Sequence, residues 1–174
     1  MIAIRRILIP TNLGEPSRAA VRYGVEFARQ FQARLYIVHV LPVEDFEAVI
    51  ERERVIETLL PEAAEGGAAP AEPSPAEIAR NAAREDLTGL LSPEEERDTG
   101  AEYLLRPAGA HGPGHEIVTC AQELEVELVI MGKHRQGFVS HLFSGSVTEK
   151  VVRDAPCPVL IVHFSEHEFV IEDR

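Results

Sequence analysis

The stretch Gly132-Lys133-His134-Arg135, then nine residues, then Gly145-Ser146, has the composition of a phosphate cradle. Glycines let a backbone approach phosphate oxygens closely, and a helix beginning near Ser146 would add unpaired N–H groups and a favourable dipole. Lys133, His134 and Arg135 bring local positive potential to a chain of formal net charge −12. Glycine loops before helices are also ordinary turns, so residue chemistry alone leaves both readings open. In open α/β sheets, ligands sit beyond the carboxyl ends of the strands, near the point where strand order reverses. That rule nominates three segments: Pro10-Thr11-Asn12, His39-Val40-Leu41, and the loop after Met131.

Other chemistry is less well supplied. His111-x3-His115 straddles Gly112-Pro113-Gly114, which disfavours a regular helical pair, and His163-x3-His167 lies at a strand end beside Glu166 and Glu168. Neither has the closed Cys/His set of a structural zinc site, so no metal site is predicted. His39 reads as packing at the end of a strand, and His134 as a candidate ligand contact. Ser140, Ser144 and Ser146 lie near His134 and His141, but no G-x-S-x-G elbow accompanies them. A Ser146 that caps a helix has its oxygen engaged by backbone N–H groups, with Glu149 as its capping-box partner. No catalytic residue is predicted, and a hydrolase is the least favoured reading.

The elements that must position these residues follow from apolar patterning. Ile7-Leu8-Ile9 reads as a buried strand ended by Pro10, and Glu15-Pro16-Ser17 as a helix start with Val21, Gly24, Val25, Ala28 and Phe31 on one apolar face. Leu35 to Val40 is a second strand, apolar enough to be covered on both faces, and the βαβ unit so formed implies a parallel sheet. Asp45 to Leu60 reads as a charged helix, and Ala63 to Pro75 as a mobile stretch rich in Ala, Gly, Pro and Glu. A further helix runs from Ser74 or Pro75 to about Leu90, and Glu102 to Arg106 is a third strand. Pro113 opens a helix with Ile117, Val118, Ala121 and Leu124 inward. Leu128 to Met131 is a fourth strand halted by Gly132. A helix capped by Ser146-x-x-Glu149 ends before Pro156, and Pro158 to Val162 is a fifth strand.

Composition bounds the classes. At 174 residues, 45% hydrophobic and 26% charged, the chain suits one globular α/β domain. The acidic balance argues against nucleic acid as a partner. The absence of a long apolar run argues against membrane insertion. The first residues lack the apolar core of a signal peptide, which predicts a cytoplasmic protein. Cys120 and Cys157, both among apolar neighbours, read as buried thiols rather than a redox pair.

The segment Leu128 to Val162 carries Val-Ile-Met-Gly-Lys-His, Ser-Gly-Ser-Val-Thr-Glu-Lys-Val and Ala-Pro-Cys-Pro-Val-Leu-Ile-Val. It resembles the C-terminal signature of the universal stress protein family, and the opening Ile-Leu-Ile-Pro-Thr-Asn is similar to the N-terminal one. The resemblance implies an open, doubly wound five-stranded parallel sheet of order 3-2-1-4-5 with helices on both faces, Rossmann-like and adenine nucleotide alpha hydrolase-like. It also implies homodimers paired through strand five, about Pro158 to His163. In one branch it implies ATP, with Mg2+, held by G-x2-G-x9-G-[ST]. This chain has Gly132, Gly145 and Ser146 of that motif, with Arg135 where the second glycine belongs, and Asn12 where the ATP-binding branch tends to have aspartate. A left-handed backbone at Arg135 would cost about 1–2 kcal/mol, whereas its guanidinium could grip a phosphate. By resemblance Pro10 and Val40 line the adenine side, Thr11 and Asn12 stand beside them, Met131 and Gly132 line the ribose side, and Val147 follows Ser146 at the phosphates.

The expectation is therefore a dimeric nucleotide-binding stress or signalling protein with slow or no hydrolysis. ATP is the first ligand, AMP, ADP and cyclic nucleotides remain open, and a regulatory protein partner is expected. The alternative is a nucleotide-independent interaction dimer. Residues 61–100 read as an extended crossover insertion, a tolerated surface excursion. The tail 164–174, with Phe169-Val170-Ile171, is predicted to be docked.

Overall fold

The computed structural model describes residues 3–41, 75–134 and 147–164. The Asp45–Leu60 helix, the 63–74 stretch, Arg135, Gly145, Ser146 and the tail beyond Phe164 lie outside them. The described elements are β1 (Arg6–Thr11), α1 (Glu15–Phe31), β2 (Arg34–Leu41), α2 (Pro75–Thr88), α3 (Pro93–Thr99), β3 (Glu102–Pro107), α4 (Pro113–Glu123), β4 (Leu128–His134), α5 (Val147–Asp154) and β5 (Val159–Phe164). All strand pairs are parallel, and the sheet order is β3-β2-β1-β4-β5.

Period-two alternation sends each strand's side chains to two separate cores. Ile7, Ile9, Leu35, Ile37 and Ile130 face α1 and the 87–91 end of α2, while Leu8, Tyr36, Val38, Val129 and Met131 face α4 and α5. This accounts for strands that read as continuous apolar runs: both faces are covered. Gly24 meets the sheet where a side chain could not, since a Cβ there would overlap Ile9. Phe31, expected inward, is instead exposed at the last turn of α1, its ring 5.8 Å from that of Phe27.

Two expectations about segment ends are corrected. Pro10 does not end β1, which continues through Thr11. Odd residues of β1 bond toward β2 (Arg34 N–H to Arg5 O) and even ones toward β4 (Glu127 N–H to Arg6 O), so Pro10 lacks a donor on the β4 side. There the β1–β4 pairing stops after Leu8↔Val129, whereas β1–β2 pairing runs on to Thr11↔His39. Gly132 does not halt β4. It pairs with Val162 inside the strand. The region read as a surface excursion also contributes to the core: Ala83, Leu87, Leu91 and Thr99 are buried. It also holds α3, an element beyond those expected, whose start Ser92-Pro93-x-Glu95 forms a full capping box.

The two carboxyl-end neighbours, β1 and β4, are clamped together at their opposite end. Glu127 accepts hydrogen bonds from Arg5 N–H (3.1 Å) and Arg6 N–H (2.8 Å) and faces the Arg6 guanidinium. Burial opposes its charge, but these donors outweigh burial and hold the carboxyl below its ordinary value of 4.5. A carboxylate with a lowered folded-state pKa stabilises the fold above its unfolded-state value, and the contribution is lost as pH falls through the folded one. Glu127→Gln is expected to cost about 1–2 kcal/mol at neutral pH. Urea melts should show the difference from wild type shrinking below pH 4.5; a constant difference across pH would contradict this clamp.

Cys120 is buried and Cys157 only half-buried, both free. Burial raises both thiol pKa values, which agrees with unreactive thiols.

Candidate functional site

Where β1 and β4 part, a cavity of about 490 Å³ opens at the carboxyl edge of the sheet, within the range of small-molecule sites. Pro10, Thr11 and Asn12 form one wall, Val40 another, and Met131, Gly132 and Lys133 a third, with Val147 closing it. Eight predicted positions from four distant segments therefore meet at one cavity. His134 ends β4, while Arg135, Gly145 and Ser146 are outside the described residues.

Residues that sequence reasoning did not select also line it, namely Pro16, Ser17, Val38, Pro113, Ile117 and Thr148, and so does His39 of the nominated 39–41 segment. Three of these groups share a physical logic. Pro16 and Ser17 belong to the first turn of α1, Pro113 to that of α4, and Val147 and Thr148 to that of α5. Parallel strands deliver every helix N-terminus to the same edge, so three positive dipole ends converge on the cavity. The sequence carried this signal in its helix starts, but not which starts would be neighbours.

Gly132 is the residue on which the site's shape depends. A Cβ there would overlap the Pro16 carbonyl group and lie 2.8 Å from Ser17 N. Glycine thus lets α1 press its first turn against β4, which brings the α1 N-terminus to the cavity.

The β1–α1 turn is tightly wired. Asn12 Oδ1 accepts from the Ser17 hydroxyl (2.7 Å) and from Gly14 N–H (3.1 Å), and Asn12 N–H donates to Ser17 Oγ (3.2 Å). Leu13 N–H donates to Thr11 Oγ1 at 2.9 Å, and Leu13 itself adopts φ +65°, a left-handed conformation costing about 1–2 kcal/mol in a leucine. With Oδ1 doubly occupied, the Asn12 amide NH2 is the group that has no partner among the described residues. It offers a donor, not a charge. His39 is held by an Nδ1–H donating to Thr11 O at 2.7 Å. His39 packs at the strand end as expected, and also lines the cavity.

The electrostatic balance is set by what is missing from the wall. The described lining contains Lys133 and no carboxylate, although 29 of 174 residues are acidic. His111 and His115 are both exposed, and their rings meet edge to face with centroids 5.0 Å apart. Among the described residues no group of three or more His, Cys, Asp or Glu could hold a metal ion, and no helix is long and apolar enough to cross a membrane.

A parallel 3-2-1-4-5 sheet with helices on both faces and a crevice at its switch point defines a doubly wound α/β protein. Within that class the chain belongs to the universal stress protein family, whose profile matches residues 3–163. Universal stress protein YxiE of Bacillus subtilis is 30% identical over 161 residues, covering 90% of this chain and 97% of its own. A universal stress protein solved in complex with cAMP superposes with a TM-score of 0.59 at 19% identity, covering 94% of this chain and all (100%) of that one. The universal stress protein of Archaeoglobus fulgidus, solved with dAMP, gives 0.54 at 21% identity, covering 92% and 98%.

Proposed function

We propose that this protein binds an adenine nucleotide in the switch-point cavity and that occupancy, rather than turnover, is its output. The observation that carries this is the cavity's charge: three helix N-termini and Lys133 face a wall with no described carboxylate, on a protein of net charge −12. The cAMP and dAMP complexes of the structural relatives support an adenine nucleotide as the ligand class. ATP fits the reading best by motif, with Arg135, Gly145, Ser146 and His134 around its phosphates. The adenine would lie between Pro10 and Val40, and the Asn12 amide and Met131–Gly132 would meet the ribose.

A metal bound by the protein alone does not fit the described donors, and Asn12 Oδ1 is already engaged twice. Mg2+ would arrive bound to the phosphates. No described lining carboxylate is placed to orient a water, which supports slow or absent hydrolysis. Pairing of two copies through the outer edge of β5, free of a sixth strand among the described residues, is part of the same proposal.

The test is calorimetric titration of nucleotide-stripped protein with ATP–Mg2+, AMP and cAMP. Micromolar binding of at least one, corresponding to about −8 kcal/mol, is expected. No heat with any of them, on protein shown to be folded, would favour the nucleotide-independent interaction dimer.

A further inference from the structure

The two edges of the sheet are finished differently. β3 carries charge, with Glu102 paired to Arg34 and Arg106 to Glu123, the usual guard against a further strand. β5 has no charged residue from Pro158 to Val162, and no described strand lies beyond it. Val159 and Ile161 border one core and Leu160 the other, yet all three are only half-buried, whereas Ile7, Leu8 and Ile9 of β1 are fully buried. A strand that is apolar on both faces is left without its outer cover on either.

The helices on the two faces leave apolar groups beside that edge. Arg18 and Val25 of α1 face the corner between α2 and α3, and Arg29 is bonded to Asp98 of α3. At about 100° per residue, Phe27 lies half a turn round from Arg18, with Tyr23 and Phe31 one turn to either side of it. Since α2 packs on β2 and β3 while α1 reaches β4 and β5, this aromatic flank is the one toward β5. Tyr23 and Phe31 are each 42% exposed. On the other face, Lys150 of α5 lies against Gly114 of α4, which packs on β2 and β3. Val152, two residues on from Lys150, is turned away from α4 toward β5 and is 54% exposed. Of the four exposed large apolar side chains among the described residues, three flank one strand edge, and Ile78 on α2 lies elsewhere.

We propose that Tyr23 and Val152 hold a second copy of this chain at this edge, so that the helical layers on both faces continue across the joint. The proposal rests on the β5 pairing put forward above and adds the side chains that secure it. A second copy suits the flank because an uncharged edge with apolar groups on both faces is complementary to itself under a two-fold axis. An axis normal to the sheet sets the two β5 strands antiparallel and keeps both α1 helices on one face and both α5 helices on the other. Two α1 helices riding over β4 and β5 then stand roughly 10–14 Å apart, two to three strand spacings, against about 8–10 Å for helices in direct contact. Small side chains would leave that gap open, and tyrosine fills it. Gly132 sets the level, because it pairs with Val162 and adjoins the first turn of α1. Tyr23, about 10 Å further down the helix, therefore stands level with Val159, beside the strand rather than beyond its end.

The test is sedimentation equilibrium of the full chain without added nucleotide. Wild type is expected to be a dimer at micromolar concentration. Tyr23→Glu/Val152→Glu, which places a charge on each face of the joint, should raise the dimer dissociation constant at least about a hundredfold, and Tyr23→Ala alone at least about tenfold. Ile78→Glu, a charge at a 55% exposed apolar site on α2, should leave the constant unchanged. All three positions are exposed helix sites and glutamate is a good helix former, so circular dichroism spectra and Tm should match wild type. A dimer of unchanged strength in the Tyr23 and Val152 variants would overturn the helix joint while leaving β5 pairing in place. Equal weakening by Ile78→Glu would overturn it as a general effect of charge, and a monomeric wild type would overturn both it and the β5 pairing.

Discussion

Gly132→Ala is expected to be the most damaging single methyl group that can be added near the site. The new Cβ would overlap the Pro16 carbonyl and sit 2.8 Å from Ser17 N. These are backbone atoms of the first turn of α1, not the end of a flexible side chain. Relief requires either α1 to withdraw from β4 or β4 to leave its pairing with β5 at Val162. Overpacking a well-filled site costs about 1–3 kcal/mol, and a backbone obstacle places this case at the upper end, about 3 kcal/mol. For a chain of this size that corresponds to a fall in Tm of roughly 6–12 °C. Thermal unfolding followed by circular dichroism measures it, and an unchanged Tm would show that α1 is not pinned as described. Nucleotide affinity should fall with stability, because the same shift moves Ser17 and hence Asn12, to which it is bonded at 2.7 Å.

The second large effect concerns binding alone. Val40 is half-buried near the end of β2 and lines the switch-point cavity. Tryptophan is well tolerated in strands, and Val40 is a partly buried edge of its core that borders the cavity, so the added bulk can be taken up there. Val40→Trp is expected to keep the fold, with Tm close to wild type, while filling the space proposed for the adenine. A loss of affinity of at least about a hundredfold, near 2.8 kcal/mol, is expected in the same calorimetric titration. Retained affinity in a folded Val40→Trp protein would remove the cavity from consideration as the nucleotide site. The two substitutions fail in different ways: the first reads out helix placement and the second reads out occupancy.

Much of this arrangement was legible along the chain. The apolar runs Ile7-Leu8-Ile9 and Leu35 to Val40 named buried strands, and both strands lie between the two cores. Helix starts at Pro16 and Pro113 were visible because proline and its neighbours act within one turn. The Ser92–Glu95 box carries the same kind of signal, and it starts a helix that ends on the buried Thr99 and follows the buried Leu91. Rules applied too locally misplaced the strand ends. Proline and glycine normally punctuate, yet Pro10 and Gly132 both lie inside strands.

The sequence by itself determined the strands, the helix starts, the family, and the set of segments from which a site had to be drawn. Those are properties of short windows, governed by side-chain period, backbone propensity and caps. The tertiary structure alone decided which groups meet: Gly132 against Pro16, Ser17 on Asn12, and His39 on Thr11. Each of these is a contact between elements or across a turn, fixed by how closely helices can approach the sheet. Such a distance is set by packing of the whole layer, and no local pattern encodes it.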